Sequence, residues 1–161
     1  MESVEGRVLT VDANLIRRIE SFLNKSEFKE FKGEPATDEE ILNAEQVLNV
    51  KFNEAYIQFI KLFGGACAGF AIHAFKNGSS LGKATVVELT HRFRKGGEDM
   101  IPQELKDAYV ISDDGTGNPI LMNKEGKIFI FWHDSWEVEL LHNSLQEMLM
   151  KYFPQSGGYY V

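Results

Sequence analysis

The residues best suited to chemistry lie in one short polar loop, residues 113–118, which reads DDGTGN. Asp113, Asp114 and Asn118 supply carboxylate and amide oxygens, which are the ligands that hard cations prefer. However, the loop lacks the alternate ligand spacing and the terminal glutamate of a calcium-binding loop. The pattern therefore favours a hydrogen-bonded turn, and we predict neither a metal site nor a cofactor.

A second segment, residues 78–83 (GSSLGK), has the glycines and the lysine of a phosphate-binding loop. Its second glycine comes one position too early, and Ala84 stands where the motif needs a serine or threonine to hold magnesium. The departures fall on positions that the phosphate chemistry requires. The segment is therefore predicted to be a surface turn.

Cys67, paired with a histidine, would be the candidate nucleophile of a covalent mechanism. It lies among glycines and alanines, where a buried structural thiol is the ordinary interpretation. The four histidines, His73, His91, His133 and His142, show no close metal-ligand spacing. No pair of carboxylates can be assigned to acid–base catalysis. The sequence therefore predicts no catalytic residues and a protein that is not an enzyme.

Four short strands and a closing helix must position the polar loop. Runs of apolar, β-branched and aromatic residues predict the strands at 109–112, 120–122, 128–132 and 136–141. The run 128–132 (IFIFW) does not alternate with polar residues, which is typical of a central strand covered on both faces. A hairpin turn is predicted at 123–126, and Asn143 is predicted to cap the closing helix.

The first half of the chain reads mainly as helices. They are predicted to begin after three N-cap residues, Asp12, Thr37 and Asn53, and Thr37 forms a capping box with Glu40. Short strands are predicted at 7–11 and 70–75. Residues 85–93 have apolar side chains at helical spacing, although their β-branched residues would also suit a strand.

These elements predict an α+β fold: a single domain over residues 1–161, with a largely antiparallel central sheet of about five or six strands and four to five helices. The apolar share of 43% and the charged share of 25% are ordinary for a globular protein. No apolar run approaches the roughly 20 residues of a membrane helix. Because the start lacks a secretory leader and the chain has one cysteine, we expect a cytoplasmic protein that does not enter membranes.

Negative charge is concentrated in two parts of the chain. Residues 27–54 contain eight acids and three lysines, and residues 110–139 contain six acids and two lysines. Phosphate neutralisation needs a surface rich in lysine and arginine, so nucleic acid is not an expected partner. Opposite charge speeds encounter, and the distribution therefore favours a basic protein partner.

The chain resembles the SUKH superfamily over roughly residues 35–150. In the first half the resemblance is carried by residues 37–41 (TDEEI), Ala44, Glu45, Leu48, Tyr56, Phe59 and the glycines after the third helix. In the second half it is carried by residues 111–113, Gly117 with Asn118, the Gly126 turn, the apolar strand ending at Trp132-His133-Asp134, and a closing helix. Asn53 and Gly64-Gly65 depart from the family's usual proline and Asn-Gly, but asparagine also caps helices and glycine also adopts positive φ.

The resemblance implies an immunity-type, non-enzymatic protein that binds and neutralises a cognate toxin, commonly a nuclease or related nucleic-acid-modifying enzyme. Such a toxin needs a basic groove, which carboxylates with aromatic anchors can block. We predict that the contact residues are Asp113, Asp114, Asp134, Trp136, Glu137 and Glu139. The competing surface is the acidic second helix, with Asp38, Glu39 and Glu45. The alternative function is a small ligand-binding or hydrolytic enzyme that uses loop 113–118 and the His133-Asp134 corner.

Overall fold

The structure, a computed structural model, describes residues 10–153 as one mixed α+β unit. Its α-helices are α1 (Ala13–Leu23), α2 (Asp38–Leu48), α3 (Glu54–Phe63), α4 (Val86–Phe93) and α5 (Leu145–Tyr152). Its strands are β1 (Ala66–Cys67), β2 (Ala71–Ile72), β3 (Tyr109–Asp113), β4 (Pro119–Met122), β5 (Ile128–Trp132) and β6 (Glu137–His142). Short 3₁₀ turns lie at Ser26–Phe31, Ser79–Leu81, Glu98–Met100 and Gln103–Leu105.

The helices begin where side chains satisfy the free N–H groups of their first turns. Asp12, Thr37 and Asn53 cap α1, α2 and α3 as predicted, and Thr37 forms the predicted capping box with Glu40. A second capping box, between Thr85 and Glu88, begins α4. Residues 86–93 are therefore a helix, and the strand alternative for this segment is wrong.

The predicted cap of the closing helix is wrong by one residue. Ser144, not Asn143, is the N-cap of α5, and its hydroxyl accepts a hydrogen bond from the backbone N–H of Glu147 at 3.0 Å. The Glu147 carboxylate reaches back to the N–H of Asn143 at 2.7 Å. Asn143 therefore contributes its backbone to the cap while its side chain does not.

The main sheet is a four-stranded antiparallel meander in the order β3-β4-β5-β6. On one face, Ile128 and Ile130 of β5 join a large apolar cluster with α1, α2, α3 and α5. On the other face, Phe131 joins a small apolar cluster whose other members are Ile101, Leu105, Ala108, Val110 and Leu121, and Phe93 of α4 packs against it. The prediction that 128–132 is a central strand covered on both faces is confirmed.

The α+β class and the helix number are confirmed, but the main sheet has four strands rather than five or six. The predicted strand 70–75 is reduced to β2, which pairs with β1 in a separate two-stranded ribbon. Beyond Ile72 the chain leaves the ladder because its N–H groups bond elsewhere. His73 donates to the carbonyl of Ile111 at 2.8 Å, and Ala74 donates to the side chain of Asn77 at 2.8 Å.

The ends of two other predicted strands also differ. The predicted strand 136–141 begins one residue later, because Trp136 has a φ of 64° and belongs to the preceding turn. The predicted strand 7–11 lies outside the described residues up to position 9, and Thr10 and Val11 are not in a strand. Within residues 10–153, no helix has the length and apolar character needed to cross a bilayer.

Candidate functional site

Loop 113–118 is a compact set of hydrogen bonds centred on Asp114. One oxygen of Asp114 accepts bonds from the Thr116 N–H and hydroxyl, both at 2.9 Å, and from the Asn118 N–H at 3.1 Å. Its other oxygen accepts from the Asn118 side-chain amide at 2.8 Å. Gly115 and Gly117 adopt positive φ, which lets the chain turn this tightly.

This geometry sets the charge state of Asp114. Although Asp114 is exposed, the loss of some water around its carboxyl raises the pKa, but the hydrogen bonds from Asn118 and Thr116 favour the ionised form and lower the pKa to about 2. Asp113 makes fewer hydrogen bonds than Asp114, since its carboxylate accepts one, from the Gly115 N–H at 2.7 Å. Asp114 therefore holds the loop in shape, while Asp113 presents an exposed carboxylate at the end of β3.

Asn118 joins this loop to the turn 133–136 between β5 and β6. Its side chain is buried, and its oxygen accepts hydrogen bonds from the backbone N–H of His133 at 2.9 Å and from the ring Nδ1 at 2.5 Å. Because an amide oxygen only accepts, His133 carries a proton on Nδ1. Two segments separated by fifteen positions in the chain are thus fixed against each other.

Turn 133–136 presents Trp136 and Asp134 to solvent. The backbone N–H of Trp136 donates to the carbonyl of Trp132 at 2.7 Å, and Trp136 is 48% exposed. Its ring packs edge-on against Phe131 at 5.4 Å between centroids. The Asp134 carboxylate lies 3.2 Å from Nε2 of His133 and is otherwise open to solvent. Trp136 is therefore a half-exposed aromatic side chain on a hydrogen-bonded turn.

The remaining two predicted residues lie further along β6. Glu137 pairs across the sheet with Trp132, and Glu139 pairs with Ile130, so both carboxylates project from the same face. The Trp132 indole N–H donates to Glu139 at 3.0 Å, which orients that carboxylate. We call the exposed set the acidic corner: Asp113, Asp134, Trp136, Glu137 and Glu139, with Asp114 as its internal support.

A cleft beside the acidic corner was not predicted from the sequence. It has a volume of about 310 Å³ and lies between α4 and the sheet. Leu89, Phe93 and Phe131 contribute apolar walls, while Arg92 and His133 contribute polar groups. The spacing of Leu89 and Phe93 indicated a helix, but which sheet face that helix covers depends on tertiary packing.

The structure offers no support for a cation-binding loop, a Cys67 nucleophile or a metal site among the described residues. The oxygens of Asp114 accept hydrogen bonds within the loop, and the side-chain oxygen of Asn118 accepts from His133, so the segment is a hydrogen-bonded turn as expected. Cys67 is half-buried, and its burial raises the pKa of the thiol although the backbone of Gly69 lowers it. Among the described residues, no three His, Cys, Asp or Glu side chains are grouped as metal ligands would be.

The competing surface on α2 has fewer free carboxylates than the sequence indicated. Asp38 forms an ion pair with Lys61 at 2.7 Å, and Glu45 accepts a hydrogen bond from the Phe52 N–H at 2.9 Å. Glu39 is exposed, and Leu42 and Val47 are more than half exposed on the same helix. Two of the three predicted acids there therefore already have partners within the chain.

The fold and the acidic corner define a mixed α+β protein whose candidate site is an exposed surface built on two connected turns. A family model described as SUKH_5, SMI1-KNR4 cell-wall, matches residues 13–154, and the chain therefore belongs to the SUKH family. The resemblance found in the sequence is confirmed by this match. No curated protein matches the chain.

Proposed function

We propose that this chain is a cytoplasmic, immunity-type protein that binds and neutralises a cognate toxin through the acidic corner and catalyses no reaction itself. The observation that carries the proposal is the link between Asn118 and His133, which fixes the loop and the turn as one surface. Membership of the SUKH family supports the same function.

The chemistry of the corner suits a basic partner. Asp113, Asp134, Glu137 and Glu139 are exposed carboxylates, and Trp136 adds an aromatic side chain that is half accessible. A nuclease or related toxin carries a basic groove for nucleic acid, and carboxylates would compete for that groove. Because hydrogen bonds already fix the corner, binding would cost less conformational entropy than it would for a flexible loop.

A hydrolytic or ligand-binding function at the same residues has less support. Such a site would need a free base or free oxygen ligands, but the Asp114 oxygens accept hydrogen bonds within the loop and the Asn118 oxygen accepts from His133. If the chain is an inhibitor, purified protein should show no turnover on broad hydrolase substrate panels. Activity that is reproducible and is lost in Cys67→Ser or His133→Asn would contradict this and favour an enzyme.

The direct test uses the gene neighbourhood to obtain the toxin. We expect a neighbouring gene to encode a large secreted protein with a variable C-terminal toxin domain. Co-expression of that domain with this chain should restore growth, and a catalytically inactive form of the toxin should bind the purified chain in calorimetry. Neither protection nor binding by this chain would contradict the proposal.

A further inference from the structure

The two edge strands of the main sheet, β3 and β6, differ in what lies beside them. At the β3 edge, the carbonyl of Ile111 accepts a hydrogen bond from His73 at 2.8 Å, and the N–H of Val110 donates to the Thr90 hydroxyl at 2.9 Å. At the other edge, no strand among residues 10–153 pairs with the outer side of β6. Within the described part of the chain, one edge is therefore closed by other residues of the protein, and the other has no strand beside it.

The open edge is also the longest strand of the sheet. β6 has six residues, whereas β3 and β5 have five and β4 has four. Proteins that limit edge pairing use short edge strands, charged side chains, proline or bulges there, and in β6 the two glutamates disfavour any added strand that is not basic. The register of β6 is regular from Glu137 to Leu140, and its one irregularity lies opposite Ile128 and Phe129.

The two faces of β6 present different chemistry at this edge. Glu137 and Glu139 lie on one face, opposite Trp132 and Ile130. Val138 and Leu140 lie on the other face, opposite Phe131 and Phe129, and Leu140 is 46% exposed. A strand added to this edge would thus meet a row of carboxylates on one side and an apolar row on the other.

We infer that the outer edge of β6 accepts a β-strand from a basic protein partner, in which lysine or arginine residues alternate with apolar residues. The basic side chains would face Glu137 and Glu139, and the apolar side chains would face Val138 and Leu140. Main-chain hydrogen bonds would supply affinity, and the alternation would supply specificity. The identification of that partner as the toxin rests on the proposed function.

A second copy of this chain is a poorer occupant. Antiparallel pairing of two β6 strands in one continuous sheet would place Glu137 and Glu139 of both copies on the same face. Like charges opposite each other on a sheet are destabilising. Charge therefore favours a basic strand from a different protein.

The test uses three short blocked peptides as probes: one alternating lysine with valine, one with the same composition in shuffled order, and one alternating glutamate with valine. Binding is followed by tryptophan fluorescence, and hydrogen exchange locates the protected amides. The alternating basic peptide should bind most tightly and should slow exchange in β6. The shuffled peptide, which has the same charge, should bind at least about fivefold more weakly, because it cannot match both rows.

Charge exchange provides the matched variants. Glu137→Lys with Glu139→Lys should reverse the preference in favour of the glutamate peptide, whereas Glu27→Lys with Glu39→Lys should bind the peptides as the unmodified chain does. Glu139 also accepts a hydrogen bond from the Trp132 indole, so its replacement could disturb the strand itself. Glu137→Lys alone, which leaves that bond intact, is therefore the second variant, and thermal unfolding checks that each variant is folded. The inference would be overturned if the ordered and shuffled peptides bind equally well, or if both double variants lose the same affinity for the alternating basic peptide. Dimerisation of this chain through β6 would also overturn it.

The toxin assay separates this inference from the proposed function. If the chain protects cells but β6 amides exchange freely in the toxin complex, the strand inference fails and the immunity function stands. If the basic peptide binds β6 as expected but no toxin is neutralised, the edge site stands and the proposed function fails.

Discussion

The buried oxygen of Asn118 accepts hydrogen bonds from both the backbone N–H and the ring Nδ1 of His133. The same side chain donates to Asp114 at 2.8 Å, so one amide connects the acidic loop to the hairpin turn. This contact determines how the exposed carboxylates of the corner are arranged, although neither residue carries their charge.

Asn118→Ala should therefore weaken both the fold and the surface. The substitution leaves the His133 N–H without its partner and removes one of the four hydrogen bonds to the Asp114 carboxylate, which we expect to lower the free energy of unfolding by about 1–3 kcal/mol. Urea unfolding measures this loss, with Asn43→Ala at an exposed position of α2 as the control. If Asn118→Ala is as stable as the unmodified chain, the contact does not hold the loop to the turn.

Reversal of the exposed charges should abolish toxin protection without unfolding the protein. Asp113→Lys with Asp134→Lys changes two carboxylates of the corner and leaves Asp114, which supports the loop, intact. Association with the toxin should become slower and less sensitive to salt, because steering between opposite charges is lost. Stopped-flow kinetics at several salt concentrations and a growth-protection assay measure these effects.

The matched control for this reversal is Glu27→Lys with Glu39→Lys, which makes the same change of charge in the other acidic segment. Both of its carboxylates are exposed. This variant should protect cells as the unmodified chain does. If it alone loses protection, the α2 surface binds the toxin and the acidic corner is the wrong placement.

The central strand should be sensitive to truncation on its more buried side. Ile130 is 4% exposed and belongs to the large apolar cluster, so Ile130→Ala should cost about 2–5 kcal/mol of stability. Phe129 is only half-buried beside the small apolar cluster, and Phe129→Ala should cost less. Chemical denaturation of the two variants gives the comparison, and an equal or reversed order would contradict the assignment of faces.

Stability should fall as the pH drops below about 6.5, in part because of His142. Burial lowers the pKa of this imidazole; Glu147 raises it, and Lys151 lowers it, by smaller amounts. The folded state thus binds fewer protons than the unfolded state between the ordinary pKa of 6.5 and the lower folded value. The stability is present above that window and is lost as the pH falls through it.

Thermal unfolding from pH 7.5 to pH 5 measures this dependence. His142→Gln removes the titrating group while it keeps a polar side chain of similar size, so the variant should lose less stability over that interval. Equal slopes for the two proteins would show that other groups are responsible.

The sequence predicted those parts of the fold that depend on local signals. Asp12, Thr37 and Asn53 cap helices through bonds to N–H groups two or three residues away, so the residue type alone indicates the start. The strand at 70–75 was overestimated because the backbone of His73 bonds to Ile111, far away in the chain. Apolar composition cannot show that a distant carbonyl takes the N–H group.

The sequence predicted the loop and the turn of the candidate site, but it did not predict the contact that connects them. The sequence indicated loop 113–118 and the His133-Asp134 turn, but it gave no signal that Asn118 bonds to His133. That contact depends on the antiparallel register of β4 and β5, which sets the loop and the turn side by side. The same dependence on packing explains why the cleft beside α4 was missed.

Because Asn118 bonds to His133, the residues that maintain the shape of the acidic corner differ from the residues that present its charge. The residues that maintain the shape of the corner are buried or bonded internally, while Asp113, Asp134 and Glu137 project from it. Surface substitutions away from caps and packed positions usually change stability by no more than about 0.5 kcal/mol. If the acidic corner binds a toxin as proposed, exchange of the projecting side chains would change the partner that it recognises, while the bonds between the loop and the turn stay the same.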